Sequence, residues 1–72
     1  GMDLETARIE VDKYLDNSYV AGLPRVTIIH GVGTLVLKNG IKAMLKSHKH
    51  VKSYRDGGYG EGGMGVTIVE LK

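Results

Sequence analysis

Two glycine-bearing turns, each joined to a β-branched run, carry the residues of this chain that can do chemistry: Val26-Thr27-Ile28-Ile29-His30-Gly31-Val32-Gly33-Thr34 and Glu61-Gly62-Gly63-Met64-Gly65-Val66-Thr67-Ile68-Val69. In the first, a strand pattern runs into His-Gly-x-Gly-Thr and then into a helical pattern, so backbone amides, an imidazole and a hydroxyl meet at one point. Amides at a helix N-terminus flanked by glycine are suited to holding phosphate oxygens. His30 stands at the carboxyl end of the strand, where ligands gather in α/β sheets, and an imidazole there can donate to a phosphate oxygen or move a proton. The same residues also describe a plain strand-to-helix connection, with Gly31 and Gly33 taking positive φ and Thr34 capping the helix. Position 36 is Val, so the dinucleotide fingerprint Gly-x-Gly-x-x-Gly is absent, and so are the Walker A ending and the Gly-x-Ser-x-Gly elbow.

The second turn lies in a run that holds six glycines between Gly57 and Gly65 and marks one long loop. Asp56 at its mouth and Glu61 within it are carboxylates that can help hold Mg²⁺ or position a water, or can simply be solvated loop charges. Tyr59 in the same loop offers a ring on which an unpaired base can stack. Between Arg25 and Arg55 the charged side chains are all basic, with no acid before Asp56, whereas residues 1–16 hold five acidic side chains against two basic ones. Lys38, Lys42, Lys46 and Lys49 fall on one helical stripe, which reads either as a phosphate-contacting surface or as a solvated face. His48-Lys49-His50 has an i, i+2 spacing that matches no closed tetrahedral metal set, and these histidines read as residues near a helix end.

These groups must be positioned by a small set of elements. Leu4, Ala7, Val11 and Leu15, extended by Tyr14 and Tyr19, recur at helical spacing behind an N-cap at Asp3, and Gly22 followed by Pro24 ends that helix. Arg25 to His30 is an almost unbroken β-branched run that suits a central strand. A second helix from Thr34 presents Leu37, Ile41, Met44, Leu45 and His48 on its apolar face, with Gly40 marking crowding or a close neighbour. Val51–Arg55 and Val66–Leu71 are strands expected to pair antiparallel around the glycine loop. A βαβ crossover needs a strand before its first helix, so one further strand is expected ahead of residue 1.

The 72 residues make one domain, and a chain of this size buries only about 60–65% of its unfolded surface. A net charge of +2 and a pI near 9.0 are only mildly basic, so the distribution of charge matters more than its total. The absence of cysteine excludes disulfides and thiolate chemistry. No signal peptide or apolar run of membrane length is visible, and a cytoplasmic module without a membrane partner is expected.

With both turns placed, the whole chain resembles the Smr (small MutS-related) domain. Residues 2–23 resemble the family's first helix and its exit, Val26–Thr34 its His-Gly-x-Gly-Thr motif, and Val51–Arg55 followed by Glu61–Thr67 its closing hairpin. The spacing and the terminal Val-Thr-Ile-Val-Glu-Leu-Lys resemble the form that closes a bacterial MutS paralogue, a larger ATPase. That resemblance implies a two-layer α/β sandwich with a small mixed sheet, like the C-terminal half of translation initiation factor three. It also implies an endonuclease that hydrolyses phosphodiesters in DNA and/or RNA, helped by Mg²⁺ or another divalent metal. ATP would bind elsewhere in the parent, itself expected to be a homodimer that suppresses recombination and rescues ribosomes. The site then expected has His30 and Glu61 as catalytic groups, with phosphate contacts from Gly31, Gly33, Thr34, Lys38, Lys42, Arg55, Gly62, Gly63 and Gly65. The alternative is a non-catalytic module that tethers the parent to DNA or to ribosomal RNA. The family pattern opens with Leu-Asp-Leu-His/Arg-Gly, of which this chain carries Gly1 alone.

Overall fold

The computed structural model describes residues 3–30 and 35–72. Helix α1 (Leu4–Val20) begins where Asp3 caps it, the Thr6 amide donating to Asp3 Oδ1 at 2.8 Å. That backbone hydrogen bond, with a second from the Thr6 side chain, holds the Asp3 carboxyl below its ordinary value. The helix stops in a Schellman motif. Gly22 takes φ +77°, its amide reaches Tyr19 O, and the Leu23 amide reaches Ser18 O, both at 3.0 Å.

Strand β1 (Arg25–Ile29), helix α2 (Leu35–Ser47), strand β2 (Val51–Asp56), a single 3-10 turn (Gly63–Gly65) and strand β3 (Val66–Leu71) follow. Two helices on one face of a three-stranded sheet make a two-layer α/β sandwich. Val11 and Leu15 of α1 and Ile41 and Leu45 of α2 meet Val26, Ile28, Val51, Val69 and Leu71 of the sheet in one core. Each such side chain contributes about 1.5–3 kcal/mol when fully buried. The helical spacing of the sequence therefore identifies most of the inward faces, except that Ser18 and Lys38 are buried while Tyr14 and Tyr19 stay partly exposed.

The sheet differs from expectation in two respects. Its order is β1-β3-β2, and both hydrogen-bonded pairings are antiparallel, not mixed. The crossover through α2 does return β2 parallel to β1, but it leaves a one-strand gap that β3 fills in the opposite direction. For the same reason β3, not β1, is the central strand among the described residues: β3 is buried almost throughout, whereas β1 alternates and leaves Ile29 exposed.

Gly40 proves to be a site of close approach. A Cβ there would overlap the Leu4 side chain, so the missing methyl lets the start of α1 lie against α2.

Candidate functional site

Sheet register gathers the chemistry at one end. Ile28, Thr67 and Asp56 are neighbours across β1, β3 and β2, so the carboxyl ends of β1 and β2 and the start of β3 lie side by side. His30 follows β1 at that end, and the glycine loop springs from it.

His30 is held by two bonds to β3 and its approach. Its amide donates to Gly65 O at 3.1 Å, and its Nε2 lies 2.8 Å from the hydroxyl of Thr67, a fully buried residue. A hydroxyl both donates and accepts, so Thr67 can satisfy Nε2 whether or not that nitrogen carries a proton. His30 also forms part of the wall of a groove of about 450 Å³ between α1, β1 and α2, together with Glu10, Tyr14 and Thr27. Sequence reasoning singled out His30 but missed Thr67, because a threonine inside a β-branched strand looks like a strand former.

The lysine stripe is not the open surface expected. Lys38 is buried, and Asp56 balances it: Oδ1 lies 3.6 Å from Lys38 Nζ and 2.6 Å from Lys42 Nζ. The hydrogen bond from Lys42, and after it the charge of Lys38, keep the Asp56 carboxyl below its ordinary value. Asp56 follows the basic run in sequence, but the antiparallel return brings it back over α2. Lys42 keeps a partly exposed ammonium, and Lys46, Lys49 and Lys52 are not buried.

Glu61 is a fastener. Arg55 forks onto it, Nη1 to Oε1 at 2.8 Å and Nη2 to Oε2 at 2.9 Å, while the Gly58 amide donates to Oε1 at 2.7 Å. Arg55, then the Gly58 amide, lower its pKa to about 2. A carboxylate held this way is a weak base, which argues against Glu61 as a proton acceptor. The glycines of the loop divide by role. A Cβ on Gly57 would overlap Val66 and stand 2.7 Å from Gly63 O, and one on Gly62 would stand 2.8 Å from Val66 Cγ1, so these two allow the loop to close on β3. Gly63 takes φ +61° in open space and Gly65 presents its carbonyl to His30.

The Glu61 fork gives a pH dependence of stability. The folded pKa lies below the ordinary 4.5, so the stabilisation is complete above about pH 4.5 and is lost as pH falls through about 2. Glu61→Gln should therefore lower the melting temperature at pH 6, and the gap from the parent should close by about pH 2. Melts across that window measure it, and a gap that does not change with pH would show that the fork does not hold the loop.

Arg55 takes both oxygens of Glu61, and Lys38 and Lys42 share Oδ1 of Asp56, so neither carboxylate stands ready for a divalent cation. A second polar cluster lies at the other end of the helices. His48 Nε2 is 2.9 Å from Asp12 Oδ1, His50 Nε2 is 3.4 Å from Asp16 Oδ1, and the His50 ring stacks on Tyr19 with centroids 3.8 Å apart. These histidines pin α1, beyond merely standing near a helix end. Asp12, Asp16 and His48 have ligand-type atoms within 4.8 Å of one another. However, the His50 amide donates to His48 Nδ1 at 3.1 Å, which places the ring proton on Nε2, facing Asp12, where a metal would have to bind.

Gly31, Gly33 and Thr34 lie outside the described residues. Of the remaining expected site residues, the fold brings His30, Lys38, Lys42, Arg55, Glu61 and Gly62–Gly65 to the same end of the sheet.

The chain belongs to the Smr domain family, whose model matches residues 1–72. It is 71% identical over its full length to Endonuclease MutS2 of Alkaliphilus metalliredigens (strain QYMF) and 62% identical to Endonuclease MutS2 of Clostridioides difficile (strain 630). It spans only about 9% of the length of these curated relatives. Among solved structures, the Smr domain of Thermus thermophilus MutS2 superposes with a TM-score of 0.96 at 39% identity, covering 100% of this chain and 90% of that one. YdaL, a stand-alone small MutS-related protein from Escherichia coli, superposes with a TM-score of 0.91 at 25% identity, covering 99% of this chain and 59% of that one. Among the described residues no helix is long and apolar enough to cross a membrane.

Proposed function

We propose that this chain binds the phosphate backbone of DNA or structured RNA, ribosomal RNA included, at the His30 end of the sheet and hydrolyses a phosphodiester there. The observation that carries the reading is the His30–Thr67 pair, an imidazole seated against a hydroxyl, at the end of the sheet where Asp56 pairs with Lys42. The match of this chain to about 9% of the length of relatives named as endonucleases supports the same reading. Hydrolysis requires the attacking oxygen to lose a proton and the leaving oxygen to gain one. His30 serves one of those transfers, Thr67 orients it, and Lys42 offsets charge that builds on the phosphate oxygens. A divalent ion would add further charge neutralisation, but Glu61 would have to leave Arg55 to hold it and Asp56 already balances two lysines, so no step is assigned to one.

A second reading, a tethering module without turnover, is favoured by one observation: the two carboxylates of the glycine loop and its mouth, Asp56 and Glu61, are held in ion pairs. Cleavage of supercoiled plasmid and of a structured RNA separates the two. Under either reading the affinity falls steeply with salt and varies little with sequence, which filter binding at two salt concentrations checks. A strong preference for one sequence at fixed salt would count against phosphate-dominated binding.

A further inference from the structure

Glycine supplies six of the nine residues from Gly57 to Gly65, a composition that by itself favours a loop with no single shape. Here the loop is stitched. The Glu61 amide donates to Gly58 O at 2.9 Å, closing a four-residue turn, and Gly60 at its third position takes φ +85°, as a type II turn requires. The Glu61 carboxylate returns to the Gly58 amide and to the Arg55 fork, and the Gly63 amide donates to the same Gly58 carbonyl at 3.3 Å. At the second position of this turn stands Tyr59, fully exposed.

The surroundings of that ring say what it fits. Its neighbours in sequence, Gly58 and Gly60, carry no side chain, and the turn is anchored by an arginine and a glutamate. A protein-binding anchor needs a rim of packed side chains that excludes water, and a lone ring between glycines has none. A flat ligand needs only a flat, accessible ring, and Lys42, paired with Asp56 at the mouth of the same loop, provides positive charge for one that carries phosphates. We propose that Tyr59 is a stacking platform for an unpaired nucleobase, so that this domain selects nucleic acid at single-stranded segments, junctions or flipped-out nucleotides. The proposal rests on the nucleic-acid reading above and adds to it the form of the ligand. A base inside a duplex has both faces covered by its neighbours, whereas an unpaired one can offer a face to Tyr59. Because the turn is already closed by its own hydrogen bonds, little ordering of the loop remains to be done on binding.

The test uses this chain with a single-stranded oligonucleotide carrying 2-aminopurine and with a fully paired duplex of the same length. Tyr59→Ala should weaken binding of the single strand by about tenfold or more, abolish the quenching of 2-aminopurine on binding, and leave duplex affinity unchanged. Tyr59→Phe should behave as the parent, since the ring and not its hydroxyl makes the contact. Melting curves confirm that both variants stay folded. If the parent binds the single strand and Tyr59→Ala binds it equally well, the platform is overturned while the nucleic-acid reading stands, and the exposed ring belongs to another class of partner. Equal losses on single strand and duplex would also overturn it. If the parent binds neither nucleic acid, the underlying reading fails and the platform with it.

Discussion

Alanine at position 30 is expected to slow phosphodiester cleavage about 10²–10⁴-fold while nucleic-acid affinity stays close to that of the parent, because a proton-transfer group acts in the reaction more than in binding. His30 is part-buried and its Nε2 pairs with Thr67, so removing the ring leaves a buried hydroxyl without that partner. That loss costs about 1–3 kcal/mol, and the assay belongs well below the melting temperature of the variant. Thr67→Val provides the companion measurement. It keeps the shape of the strand residue and removes the hydroxyl, so it should lower the cleavage rate less than His30→Ala and alter its pH profile. Single-turnover cleavage together with filter binding decides the matter. A His30→Ala protein that cleaves at the parental rate would remove His30 from the chemistry, and a parent that binds without cleaving would select the tethering reading.

Lys38 and Lys42 should divide between stability and binding when each loses its charge. Lys38→Glu places a second carboxylate beside Asp56 in a position that is only 8% exposed, and both partners of the former pair are then anionic. Breaking a buried pair costs about 3–5 kcal/mol, but Asp56 can turn toward water, so a loss of about 2–3 kcal/mol is expected. In a domain of this size that lowers the melting temperature by roughly 10–20 °C. Lys42 is more exposed and Lys38 remains to balance Asp56, so Lys42→Gln should leave the fold nearly as stable while reducing the salt dependence of binding by about one phosphate contact. Thermal melts read against salt titrations check both halves. If Lys38→Glu melts like the parent, the pairing of buried Lys38 with Asp56 contributes nothing to the fold.

Much of the architecture was legible because it follows from local patterns. The Asp3 cap, the Gly22 exit from α1, the aliphatic residues of both helix faces and the closing antiparallel hairpin all come from short-range signals, and the structure reproduces each. Sheet order was not legible in the same way. The β-branched run at Arg25–Ile29 suggested a central strand, but centrality depends on which strand fills the gap left by the α2 crossover, and that strand lies near the other end of the chain. The site divides along the same line. His30 could be picked out from its position after a strand, whereas its partner Thr67 lies 37 residues away and is brought to it only by the β1–β3 register. The lysine stripe misled for a similar reason. Helical spacing places Lys38 and Lys42 on one line, but it says nothing of Asp56, which arrives from β2 and turns an apparent open surface into a partly neutralised one.

The most direct test of the proposed site is a map of backbone amide shifts during titration of the isotope-labelled chain with a short mixed-sequence oligonucleotide. The expected result is saturable movement of the amides of His30, Thr67 and Asp56 and of the loop from Gly57 to Gly63, with the amides of Asp12, Asp16, His48 and His50 at the far end of the helices unmoved. Saturable shifts centred on the Asp12–His50 cluster, with His30 and the glycine loop unmoved, would contradict it.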